Sequence, residues 1–185
     1  DTFPVWSFYG DVIIYGYLLP NPKEDNWLTL LCNGKSKSPF NNGVPNATIA
    51  TFDATNMPLR SSVNTAYRLF IAWGVNDSVA YNVATYTTKL QAKVDEALAS
   101  GLTANQIVII TGYCTDPTGT GGFNTTAYLP YITAARAVAT TNNTQQFDLS
   151  TLGLTVANGG LLIDGVHPSV AGNVINANYL IANVA

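Results

Sequence analysis

Charge is what this sequence lacks most. Lys and Arg number 8, Asp and Glu number 11, and together they make up 10% of 185 residues, against ~25% in ordinary soluble proteins. Eight basic residues and a net charge of −3 leave no basic stripe to neutralise phosphates, which argues against a nucleic-acid partner. Apolar residues still account for 47%. A disordered chain shows the reverse balance, so disorder is excluded. No apolar run reaches the ~18 residues of a membrane span. The only cysteines are Cys32 and Cys114, too few for a disulfide framework, and two free buried thiols are expected. With one histidine and no CxxC pair, no zinc site is expected. No charged segment followed by an apolar one opens the sequence, so no secretory leader is expected within it. Neutral polar residues, mainly Asn, Thr, Ser, Gln and Gly, replace the missing charge. Such a surface suits an extracellular or virion-associated protein.

The length fits one domain, residues 1–185. Along it, apolar strands alternate with helical segments. Strands are expected at Pro4–Tyr9, Ser38–Val44, Ala66–Trp73, Gln106–Thr111 and Gln146–Leu149. Helices are expected at Asn26–Cys32, Tyr81–Ala99, Ala127–Ala139 with Pro130 in its first turn, and Pro168–Val184. Thr115–Phe123 reads as a loop. Strands separated by helices pair in parallel through right-handed crossovers. Near-continuous apolar strands are covered on both faces. The expected fold class is therefore α/β, a three-layer α/β/α domain with about five parallel strands. Ligands bind beyond the carboxyl ends of such strands. There the turns Gly10-Asp11, Asn42-Gly43, Gly74–Asp77 and Asp164–His167 should converge.

Asp164-Gly165-Val166-His167-Pro168 holds the single histidine. A carboxylate three residues before a histidine can reach Nδ1–H, fix the tautomer and leave Nε2 as a general base. Gly74-Val75-Asn76-Asp77 follows an apolar strand. The Asn76 amide there could face a developing oxyanion, or Asn-Asp could simply cap a helix. Gly43 could offer a backbone N–H, or only make a turn. Trp6, Trp27 and Trp73 read as core or pocket wall, and Arg60 and Arg68 as surface or capping charges.

In this order and at these spacings, Gly10-Asp11, Gly43, Gly74-Val75-Asn76-Asp77 and Asp164-Gly165-Val166-His167-Pro168 resemble the SGNH (GDSL-like) hydrolase family along essentially the whole chain. The resemblance implies a flavodoxin-like SGNH hydrolase fold and acyl-ester hydrolysis without a metal or organic cofactor. It also implies a small-molecule ester or acylated glycan as substrate. His167 would be the base and Asp164 its orienter. The Gly43 N–H and the Asn76 amide would be oxyanion donors, with Asp11 beside them. The resemblance sets no oligomeric state.

The sequence departs from the family at the nucleophile. The residue after Gly10-Asp11 is Val12, which has no oxygen to attack a carbonyl. Ser78 is a remote stand-in. An active parent could carry a substitution here. The pocket could be kept for glycan or ligand binding without catalysis. His167 could instead work as a base over an apolar floor of Val12 and Ile14, in an engineered proton-transfer site or on water.

Overall fold

A computed structural model of the protein describes residues 5–50, 67–111, 125–157 and 159–184. Strand β1 is Val5–Gly10, and the short helices α1 and α2 are Val12–Tyr15 and Pro22–Asp25. Helix α3, Trp27–Gly34, leads to β2, Ser38–Gly43. Then come β3, Arg68–Ala72, α4, Asp77–Ala80, α5, Val83–Ala99, and β4, Ile107–Thr111. Helix α6, Thr125–Asn142, strand β5, Gln145–Asp148, and helix α7, Val170–Asn183, complete the order.

The five strands form one parallel sheet in the order β2-β1-β3-β4-β5. The chain thus moves outward in one direction from β1 to β2 and in the other from β3 to β5. The reversal lies between β1 and β3, where open α/β sheets form their ligand crevice. Register puts Gly10 opposite Gly43 and opposite Ala72, so β1, β2 and β3 all end at one edge of the sheet. The expected α/β class and parallel five-strand sheet are what the structure has.

Local chemistry explains the elements. All five residues of β4, IVIIT, are buried, as a parallel strand covered on both faces requires. Asn82 caps α5 by accepting from Thr85 N–H, and Leu90, Val94 and Ala97 of that helix face the core. Asn26 caps α3 at Leu28 N–H. On the α3 side of the sheet, Phe8 stacks on Phe70 with centroids 4.4 Å apart and meets Trp27 edge-on at 5.6 Å. Helices α3 and α7 pack together on one face, and α5 and α6 on the other. Trp6, Trp27 and Trp73 are all core, rather than pocket wall.

Several expectations change. Helices α1, α2 and α4 have four residues each, too few for a hydrophobic period to register. Helix α6 starts at Thr125, earlier than expected, so Pro130 lies inside it. Its missing N–H deprives Thr126 of the usual helical hydrogen bond. Cys32 is a free, buried thiol, whereas Cys114, Arg60 and the Thr115–Phe123 segment lie outside the described residues. Arg68 is half-buried, donating to Gln145 Oε1 and lying over Trp6.

Candidate active site

The turn before α7 is tied by its own carboxylate. Asp164 Oδ1 accepts from Val166 N–H at 3.1 Å and His167 N–H at 2.9 Å. Asp164 Oδ2 lies 2.7 Å from His167 Nδ1. Gly165 has φ of +87°, a region that glycine enters without steric cost. Backbone bonds Ile163 N–H to His167 O and Ser169 N–H to Leu161 O close the base of the turn. Partial burial pushes the Asp164 carboxyl up, but the His167 N–H, the imidazole and its charge, and the Val166 N–H outweigh it. Its pKa is held below the ordinary value. The paired nitrogen is Nδ1, so Nε2 is the one free to exchange a proton with a ligand.

The other half of the site follows β1. Asp11 caps α1, accepting from Ile13 N–H at 2.9 Å. A side chain at Gly10 would collide with Ala72 O and the Ile14 side chain. That close approach lets α1 fold back directly onto the strand end. Asp11 is completely buried, and its side chain supports the first turn of α1. Burial pushes its pKa to about 7, with the charge of Asp77 adding to the rise. Asp77, also fully buried, accepts from Ile49 N–H, and burial lifts it to about 6. Val12 is 7% exposed at the head of α1. Ile14 is fully buried, so it is core and not pocket floor. Half of the apolar floor expected for proton transfer is thereby missing.

Asn76 stands at the start of α4, but its side chain does not cap that helix. Its Nδ2 donates instead to Ala47 O at 3.0 Å. A primary amide has two N–H bonds, so one is still open. Ser78 Oγ donates to Val75 O at 2.6 Å, which turns it away from a nucleophile's role. Gly43 reaches the same edge, where any side chain on it would strike the backbone of Ile14 and Tyr15. Its N–H, expected to be an open donor, is already held by Asn41 Oδ1 at 2.8 Å.

One neighbour of the histidine escaped the sequence reading. The Tyr17 ring meets His167 with centroids 5.4 Å apart, and the Tyr17 N–H donates to Val12 O at 3.1 Å. Tyr17 therefore links His167 to the residue 12 position. Only the aromatic pair Tyr15 and Tyr17 flanking Gly16 could have signalled it. Among the described residues no cluster of three or more His, Cys, Asp or Glu could hold a metal ion. No described helix is long and apolar enough to cross a membrane.

No family model matches the sequence, and no curated protein matches it. Solved structures do. A member of the lipolytic protein G-D-S-L family from Veillonella parvula superposes with a TM-score of 0.75 at 18% identity, covering 97% of each chain. A catalytic mutant of an acetylxylan esterase from Geobacillus stearothermophilus gives 0.78 at 16% identity, covering 98% of this chain and 94% of that one. A lipase/acylhydrolase from Enterococcus faecalis gives 0.76 at 19% identity, covering 98% and 95%. At such identities the likeness establishes a shared fold, that of GDSL/SGNH-type hydrolases.

Proposed function

We propose that this domain is an SGNH-type ester hydrolase whose nucleophile position is occupied by Val12. In this form it holds an acyl ester, on a small molecule or a glycan, without forming an acyl-enzyme. The observation that carries the reading is the Asp164–His167 pair, 2.7 Å apart. His167 in turn meets Tyr17, whose N–H donates to Val12 O. The acetylxylan esterase and the lipase/acylhydrolase that share this chain's fold support the reading. His167 is the general base, Asp164 sets its tautomer, and Asn76 gives its second amide N–H to the oxyanion. With a serine at residue 12, its Oγ would add to the ester carbonyl while its proton passes to His167 Nε2. The alcohol would leave with that proton, and water would release the acid.

The test is Val12→Ser assayed with p-nitrophenyl acetate. Turnover in the variant and none above buffer in the unsubstituted chain is the expected outcome. Stoichiometric fluorophosphonate labelling of the unsubstituted chain overturns the assignment, because it exposes another nucleophile. An inert Val12→Ser that still binds acylated glycans makes the domain a binding module.

A further inference from the structure

A crevice of about 590 Å³ opens beside Gly43 and Tyr15. That volume lies within the ~300–1,000 Å³ of small-molecule sites. Pro39, Asn41 and Gly43 line it from alternate positions of β2, an edge strand of the sheet. Tyr15 lines it from the last position of α1, 47% exposed, about 5 Å along the helix axis from Val12. The walls are apolar, from Tyr15, Pro22 and Pro39, whereas Asn21, Lys23 and Asn41 supply amides and an ammonium. An acyl chain would match the walls and strand those polar groups. An anion would find a single lysine, with Glu24 and Asp25 on the same short helix. A pyranose ring has apolar C–H faces and hydroxyls around its edge, and it matches both sets.

Asn41 ties this crevice to the candidate site. Its Oδ1 accepts the Gly43 N–H at 2.8 Å and its Nδ2 donates to Ile14 O at 2.9 Å. Ile14 O has a second donor, Asn26 Nδ2 at 2.8 Å. Rotation of Asn41 toward a ligand hydroxyl therefore leaves Ile14 O paired, and the one group set free is the Gly43 N–H. We infer that the crevice is the subsite for a neutral sugar ring on the alcohol side of the ester, and that Asn41 releases the Gly43 N–H when the ring is bound. The alcohol-side assignment rests on the hydrolase reading above. The crevice and its exchange of partners do not.

The unsubstituted chain is the right sample, because it binds without consuming. Amide-resolved NMR titration with methyl β-glucoside, methyl β-xyloside and methyl β-galactoside should shift the Gly43 N–H, the Asn41 side-chain amide and Tyr15 together. Tyr15→Ala should weaken the response at least tenfold. No shift with any glycoside, shifts on another face, or shifts with decanoate alone overturn the subsite. A sugar response at Tyr15 that leaves Gly43 unmoved overturns the Asn41 coupling. In a Val12→Ser background, Asn41→Ala should raise kcat on p-nitrophenyl acetate, which carries no sugar, because the Gly43 N–H is no longer held. Merely structural support by Asn41 would lower it instead, and that fall also overturns the coupling. Bound sugar with an inert Val12→Ser removes the hydrolase reading and keeps the subsite. An active Val12→Ser with no sugar response does the reverse.

Discussion

Two aspartates sit in turns on either side of the candidate site, and the fold treats them oppositely. Asp164 is 42% exposed in its side chain and gathers two backbone N–H groups and an imidazole. It stays ionised below the ordinary carboxylate pKa. Asp11 is sealed under α1 with one N–H on Oδ1. Among the described residues no partner is recorded for its Oδ2, and burial near Asp77 lifts it to about 7. The same carboxyl is a charge partner in one turn and, in the other, a helix cap that burial holds well above the usual carboxylate pKa. The difference is the number of donors that replace lost water. The His167 half of the candidate site is thus tied by three hydrogen bonds to one carboxylate, and the residue 12 half rests on a buried helix cap.

The largest expected effect separates those halves. Val12→Ser should bring acetyl-ester turnover, and His167→Ala added to it should remove at least about 10³-fold, since members of such a unit fail together. Initial rates on p-nitrophenyl acetate read both. Equal rates with and without His167 would mean that the His167 half has no chemical role.

Asp164→Asn in the same Val12→Ser background should cost about 10²-fold or more in kcat, because an amide cannot enforce the tautomer with Nε2 free. KM should change little. A KM effect alone would assign Asp164 to substrate binding.

The pH dependence of stability should have opposite signs at the two aspartates. Asp11 rises from an ordinary 3.8 to about 7 on folding. The folded state therefore holds its proton more tightly. Its stabilising share is full below pH 3.8 and is lost as pH climbs toward 7. Asp11→Asn keeps an oxygen for the Ile13 cap and removes the titration. It should melt several degrees higher than the unsubstituted chain at pH 8, with the gap clearly narrower at pH 5 and closing only below about pH 4. Asp164 is depressed, so its share is present above its ordinary 3.8 and fades as pH falls through the lower folded value. Partly exposed, it should contribute under about 1 kcal/mol at pH 7. Thermal melts of Asp164→Asn should therefore show a small loss at pH 7 that shrinks toward pH 3. An Asp11→Asn gap that is the same at both pH values would break the contrast.

The smallest effect is at Cys32, whose buried thiol is pushed up to about 12. Iodoacetamide at pH 8 should leave it unmodified in the folded protein and alkylate it in urea without reductant. Peptide mass spectrometry reads this. Labelling in the folded state would show that α3 opens.

Much of this molecule was legible in its residues. The buried run at Ile107–Thr111, the alternation of strand and helix, and the order of the four turns pointed to a parallel α/β sheet. The Asp164–His167 pairing was legible because both groups lie in one short turn, where the backbone alone sets their distance. Helix α1 was not, because one turn of helix leaves no period to read.

Partner choice over longer separations was decided by the tertiary structure. Asn76 could have capped its helix, yet it donates to Ala47, far off in sequence. Gly43 reads as an open turn, but its N–H is taken by Asn41, whose amide is also anchored on Ile14. Tyr17 became a neighbour of His167 only when the ends of the chain met. Periodicity and short-range hydrogen bonds depend on spacing along the chain, which the sequence states outright. Burial, and the question of which donor reaches a given oxygen first, depend on surfaces that exist only after the sheet and its helices have packed. The same Asp-containing turns therefore yield an ionised partner at Asp164 and a desolvated cap at Asp11.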